Sequence, residues 1–315
     1  MSAALPSYEE LPRSTAAPLW RSAWGVFGAQ SQLGTLEMLT PQRRAEALRQ
    51  AVEGVCVNLD HPLSIPLTIF KHRSAFVHEV FEIMPGYYDE TLDNLAPQLS
   101  SQWDGLRHVR GPDGFYNNLL PDDQALTTGN SPLGIDQVAR QGIVGRGVLL
   151  DLERHLRDTD QAIEPNTRRE IAPALLDEVA DAQGVSVREG DVLLVRFGVD
   201  RFIRGLTDGT TTAEMRYEAP GLQQDEATLK WLWDKHVAAV CADNIAVEVT
   251  PPRGTNTRLH PALLGLLGLT LGELFDLSDL SDECARRGRY EFLFMAKPVR
   301  LPGGLGSPAN AMAIF

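Results

Sequence analysis

Only three cysteines occur in 315 residues, Cys56, Cys241 and Cys284. Being odd in number and far apart, they fit buried structural thiols in a reducing compartment better than a disulfide framework or a CxxC metal site. Long apolar runs are also missing. The richest, residues 263–271, is broken by Gly265 and Gly268 and followed by Glu273, so it is too short and too polar to span a bilayer. The first twenty residues carry Glu9 and Glu10 and no apolar core of a secretory signal. Positive charge is scarce: 29 Lys and Arg against 42 Asp and Glu give a net charge of −13, which repels phosphate backbones. A cytoplasmic chain with no nucleic-acid and no membrane partner is expected. Familiar catalytic motifs are absent as well. His78-Glu79 does not continue into HExxH, the glycines at 25–28 and 303–306 match neither a P-loop nor a dinucleotide fingerprint, and no GxSxG elbow occurs.

What is present describes an ordinary globular chain, 43% hydrophobic and 23% charged, long enough to bury a sizeable core. Thr40-Pro41 opens a helix that Gly54 closes, by the N-cap and first-turn proline rules. Apolar runs predict strands over 55–59, 147–152, 191–197, 237–242, 290–296 and 311–315. Amphipathic patterns predict helices over 136–141, 173–182, 225–236 and 261–275. Strands and helices in alternation argue for an α/β or α+β sheet protein. No repeat, linker or compositional break appears, so one domain over 1–315 is expected, with 1–50 an N-terminal extension packing on it. The stretch 85–131, rich in Asp, Asn, Gly and Pro, reads as a long loop region of the kind that carries functional residues.

Most of the seven histidines, among them His72, His78, His155 and His236, read as solvated or structurally satisfied. Two pairs stand apart. Asp104 and His108, in SSQWDGLRH, are four residues apart, so either a helix or a strand lets them converge, as a metal site or an acid/base pair requires. Farther on, His260 opens and Glu273 interrupts an apolar segment, where an uncompensated carboxylate costs several kcal/mol or is forced to protonate. Its compensation is either a nearby arginine or backbone donors, or a divalent cation shared with His260.

Several ordered segments carry a family resemblance: Trp24-Gly25 with Leu33-Gly34-Thr35, VNLDHPLS at 57–64, SSQWDGLRH at 100–108, GIVGRGVLLD at 142–151 and REGDVLLVRFG at 188–198. APGL at 219–222, the run of Asp243, Asn244 and Glu248, and GSPANAMAIF at 306–315 complete the set. The chain resembles the cyclase family of kynurenine-formamidase-like metal-dependent hydrolases, in its longer branch. The resemblance implies an α/β swivelling β/β/α fold, a mixed sheet with flanking helices, and a homo-oligomer, dimer or tetramer. The family motif H-x-x-x-H-x-D-x-x-x-H, with a later His and Glu, implies metal ligands at Asp104, His108, His260 and Glu273. Its first two histidines fall on Gln98 and Gln102, and Gln102 is expected to assist as a weaker ligand. The implied cofactor is one divalent ion, Mn²⁺ or Zn²⁺ with Fe²⁺ a further option. The implied reaction is hydrolysis of a small amide or lactone substrate, arylformamidase-like, at a C–N or C–O bond. Asp104 and His108 are the catalytic candidates, His108 either as a ligand or as the general base. Trp103 and Arg107 are expected to stack on and clamp a planar acidic substrate, and Tyr116 with Asn117 to wall the pocket. Two further readings are a metal-free cyclase or dehydratase using Asp104 and His108 as an acid/base pair, and a non-catalytic binder of a small acidic ligand.

Overall fold

The computed structural model describes residues 4–65, 73, 76–254 and 258–315; His72 lies outside them. Along the chain the described strands are β1 (Cys56–Asn58), β2 (Val77–Met84), β3 (Tyr87–Asp93), β4 (Gln102–Asp104), β5 (Ile143–Asp151), β6 (Glu170–Ile171) and β7 (Val192–Arg196). There follow β8 (Gly221–Leu222), β9 (Ala239–Ala242), β10 (Thr270–Glu273), β11 (Glu291–Ala296), β12 (Gly306–Pro308) and β13 (Ala311–Ile314). Nine of them build one mixed sheet in the order β1-β13-β11-β5-β7-β9-β10-β4-β12. Its centre, β5 to β10, is parallel, and antiparallel strands extend it on both sides. Every residue of β7 and β9 is buried, because helices cover both faces and a doubly covered strand is apolar throughout. Alternation splits the core: Val148, Leu150, Leu193 and Val195 join one apolar cluster, Leu149, Val192 and Leu194 the other. The expected mixed α/β architecture with flanking helices is the one found.

Local signals account for most helices. Thr40 Oγ1 accepts from the Arg43 amide (3.3 Å) and starts Pro41–Ala47, which tightens into a 3₁₀ turn over Leu48–Gln50 and so ends short of Gly54. Asp225 Oδ1 caps Glu226–Asp234 through the Thr228 amide at 2.9 Å. Three expectations are corrected. The segment 261–275 is not one helix: a short helix at His260–Ala262 and a π-type turn at Leu263–Leu267 stop at Gly268, which takes φ 67°, and the chain then enters β10. A fully buried strand and a fully buried helix share the same unbroken apolar composition, so periodicity did not separate them. The supposed loop 85–131 contains β3 and β4, and β3 pairs with β2 in a hairpin exposed on both faces, where no apolar/polar alternation is imposed. Cys56 is exposed, unlike the buried Cys241 and Cys284. No helix among the described residues is long and apolar enough to cross a membrane.

Candidate metal centre

The pairing of β4 with β10 builds the site. Glu273 lies opposite Gln102, and Leu271 opposite Asp104. Opposed residues share a face and neighbours along a strand alternate, so Gln102, Asp104 and Glu273 point one way and Trp103 and Gly272 the other. Trp103 therefore enters the core, its edge against Phe275 (centroids 5.4 Å) and Phe294 (6.0 Å) and its indole N–H donating to Ala309 O at 2.9 Å. Gly272 makes room there, since a Cβ would stand 2.7 Å from the Phe275 ring and 2.8 Å from Cys241 Sγ. His260 arrives from the turn preceding β10. That turn is buried throughout and is held by the N-terminal segment, where Trp24 Nε1 donates to Gly265 O at 2.7 Å.

Around His260 the carboxylates are crowded. Its Nδ1 lies 2.7 Å from Glu248 Oε1, and its Nε2 lies 2.8 Å from Glu273 Oε1 and 3.6 Å from Asp104 Oδ2. His108 Nε2 is also 3.6 Å from Asp104 Oδ2. Two amides hold the outer oxygens: Gln98 Nε2 donates to Asp104 Oδ1, and Gln102 Nε2 to Glu273 Oε2. Arg73 Nη1 in turn donates to Gln102 Oε1 at 3.1 Å and to Gln98 O. Glu248 is fixed by the Leu259 amide and by Gln224 Nε2 (2.8 Å). Asp104 Oδ2, the oxygen between the two imidazoles, is buried and has no hydrogen-bond partner.

An orphaned carboxylate oxygen in a buried site is costly, and its cost indicates what the site accommodates. Burial pushes Glu273 up to about 7, and repulsion from Asp104 adds to it. Burial opposes the charged form of His260, yet the nearby Asp104 carboxylate and the contacts to Glu248 and Glu273 outweigh it and hold the imidazole well above its usual range. For Asp104 burial is likewise overcome, by His108 and His260 first, and the carboxyl stays below the ordinary carboxylate value. The cluster is thus short of positive charge. Asp104, His260 and Glu273 each offer one ligand atom, all within 4.8 Å of one another. Ligands about 2.1 Å from a tetrahedral ion stand about 3.4 Å apart, so the donor set and spacing fit a divalent cation. Glu248, at His260 Nδ1, would complete a carboxylate–histidine–metal pattern, leaving Nε2 for such an ion.

The cluster opens on a cleft of about 180 Å³, walled by Tyr217, Val109, Ile245, Thr250 and Arg258. Of the residues expected from sequence, Asp104, His108, His260 and Glu273 all meet here. Gln102 stands beside them, its oxygen accepting from Arg73 and its amide nitrogen donating to Glu273. Trp103 faces the core instead of a substrate, as the strand alternation requires. Arg107, 2% exposed, spends its guanidinium on the carbonyls of Gly303 and Thr127, pinning two loops, and does not clamp a ligand. Tyr116 is fully buried under the Gly268 turn, and Asn117 ties Gly25, Gly28 and Ser31 together. The residues that sequence reasoning missed are Glu248, Arg73 and the orienting role of Gln98. Glu248 carried the signal that exposed Glu273, an acid amid apolar neighbours, in Ile-Ala-Val-Glu-Val.

With this fold and site, residues 57–249 match the family described as Putative cyclase. The chain belongs to that family. A crystal structure of a novel cyclase superposes with a TM-score of 0.78 at 29% identity, covering 93% of this chain and 99% of that one. Isatin hydrolase A from Ralstonia solanacearum has a TM-score of 0.60 at 16% identity, with 87% and 97% covered. A predicted metal-dependent hydrolase from Bacillus stearothermophilus gives 0.51 at 15% identity, with 82% and 97% covered. No curated protein sequence matches the chain.

Proposed function

We propose that the protein is a metal-dependent hydrolase of a small amide or lactone, with Asp104, His260 and Glu273 holding one divalent ion. The observation carrying this reading is Asp104 Oδ2, buried and unbonded at 3.6 Å from two imidazole nitrogens. One imidazole and two carboxylates suit Mn²⁺, Zn²⁺ or Fe²⁺. Such an ion would supply Lewis acidity, polarising a substrate carbonyl and bringing the pKa of water down toward about 7. The chain's own residues supply the rest. Glu248 keeps the His260 ring oriented, and the two glutamine amides leave one oxygen of each carboxylate to face the ion. His108, a quarter exposed at the cleft, moves the proton: its Nε2 takes one from the attacking water and returns it to the leaving nitrogen or oxygen. The small cleft restricts the substrate to a compact molecule, and the isatin hydrolase neighbours agree with a planar cyclic amide.

The test is metal analysis with turnover. Protein reconstituted with Mn²⁺ or Zn²⁺ is expected to retain one ion per chain and to hydrolyse aryl formamides, lactones or cyclic amides, and both properties vanish in Asp104→Ala. Full activity after complete metal removal would leave the acid/base reading of Asp104 and His108 in its place.

A further inference from the structure

At about 180 Å³ the cleft beside the metal centre is smaller than the roughly 300–1,000 Å³ of ordinary small-molecule pockets. It admits a reacting carbonyl and its immediate neighbours, and anything larger attached to them has to leave through the mouth. Two chain segments show where. His108 and Val109 wall the cleft, and the residues that follow them, Arg110, Gly111 and Pro112, wall a second space, a groove of about 450 Å³. His260 likewise belongs to the cleft, while Arg258 and Pro261 on either side of it border both spaces. The groove is therefore the outward continuation of the cleft, beginning beside His108, and the two joined fall within the ordinary pocket range.

The groove is apolar and built in advance. Its outer wall is the segment from Ala16 to Trp20, which carries Pro18 and Leu19 and no charge. Asp113, next to the inner wall, clamps that segment: its Oδ1 accepts from Thr15 Oγ1 (2.7 Å) and from the Ala16 amide (2.8 Å), and its Oδ2 from the Thr15 amide (3.1 Å). The Ser14 amide donating to Trp20 O at 2.9 Å, and Arg13 Nη1 to Pro18 O at 2.7 Å, close the loop on itself. The inner wall lies directly on the turn that carries His260, since a Cβ on Gly111 would stand 2.9 Å from Pro261 O and 3.0 Å from Gly265 Cα. Arg110 is already neutralised by Asp122 (2.6 and 2.8 Å), so charge contributes little here. What the groove offers a ligand is apolar surface held in place, which costs little ordering to occupy.

Resting on the hydrolase reading above, we infer that the leaving amine or alcohol of the substrate carries an extended apolar arm, aliphatic or alkyl-aryl, that lies in this groove while a small acyl portion occupies the cleft. The direction follows from His108. The atom that receives its proton sits beside it, and the groove starts at the next residues of the chain. Water adds to the carbonyl carbon, the C–N or C–O bond breaks, one proton of the water passes through His108 to the leaving nitrogen or oxygen, and the apolar amine or alcohol departs along the groove.

The experiment uses the full chain reconstituted with Mn²⁺ and formanilides bearing hydrogen, ethyl, butyl or hexyl at the para carbon. kcat/KM is expected to rise about two- to fourfold per added methylene. The rise should come through KM with kcat little changed, as binding energy realised equally in ground and transition states requires. Leu19→Asp and Ala16→Trp, at exposed positions of the outer wall, are each expected to flatten the series, so that within a variant the hexyl and unsubstituted compounds react alike, with unchanged far-UV circular dichroism; one folded variant suffices. Calorimetry with the products 4-hexylaniline and aniline reads the groove without turnover. The hexyl compound is expected to bind more tightly, and the variants to remove the difference. Turnover with a flat series in wild type, or a rising series that neither variant flattens, overturns the arm in this groove and leaves the hydrolase reading standing. Hexyl-selective binding that the variants abolish, without turnover of any formanilide, supports the groove as the seat of an apolar arm and overturns the hydrolase reading. Neither turnover nor hexyl-selective binding overturns both.

Discussion

Two buried charge clusters sit in this sheet, and they differ in how they are neutralised. Beside the ends of β5 and β7, Arg196 reaches Asp151 (3.2 Å), Glu153 (2.7 Å) and Asp200 (2.9 Å), while Arg154, Arg157 and Arg201 hold the same carboxylates from outside. Asp243, pushed up to about 8 by burial and by Asp200, accepts three backbone amides, from Phe197, Gly198 and Asp200. Cations from the chain itself answer the anions there. Around His260, Asp104, Glu248 and Glu273 gather with Arg73 and Arg258 at the cleft, Arg73 donating to Gln98 and Gln102, and one carboxylate oxygen is left unbonded. The first cluster is completed by folding; on the proposed function the second would be completed by an ion from solution.

That contrast can be broken in order of expected effect. Arg196→Met takes the buried cation from Asp151, Glu153 and Asp200 and is expected to cost about 3–5 kcal/mol of stability, read from urea unfolding; a loss confined to metal affinity would place the two clusters in one network. Glu273→Gln is expected to do the reverse, abolishing ion retention in equilibrium dialysis while the folded state persists. Glu248→Gln, one bond removed from the ion, is expected to weaken metal affinity by about 10–100-fold by calorimetry. The remaining effect is in pH. Because burial holds Glu273 at about 7 against an ordinary 4.5, its protonated form stabilises the metal-free fold at low pH, and that contribution is lost as pH rises from 4.5 through 7. Thermal unfolding of metal-free protein should show this decline, and added Mn²⁺ or Zn²⁺ should remove it.

The gathering of Asp104, His108, His260 and Glu273 at one cleft was legible because it rests on residues that break a local rule. Glu273 within an apolar run and the Asp104–His108 spacing both violate the bland expectation for their surroundings. The central parallel strands were legible for the opposite reason, since buried Val, Leu and Ala runs follow the rule closely. What failed was orientation. Trp103 and Arg107 adjoin Asp104 and His108 in sequence, yet strand alternation turns Trp103 to the far face and backbone carbonyls capture Arg107. Sequence adjacency carries no information about face unless the element is known, and β4 is only three residues long. Likewise a hairpin exposed on both sides has no buried face to impose a period, so β2 and β3 left no pattern to read.

The pairing of β4 against β10 makes the centre intolerant of small insertions. Adding or removing a single residue within 102–104 would exchange the two sides of the strand, burying polar groups among Phe275 and Phe294 and presenting an indole to the cleft. Length there is inherited as a unit with chemistry, whereas the loop between Asp104 and His108 is free to drift only as far as an imidazole can still reach the cleft.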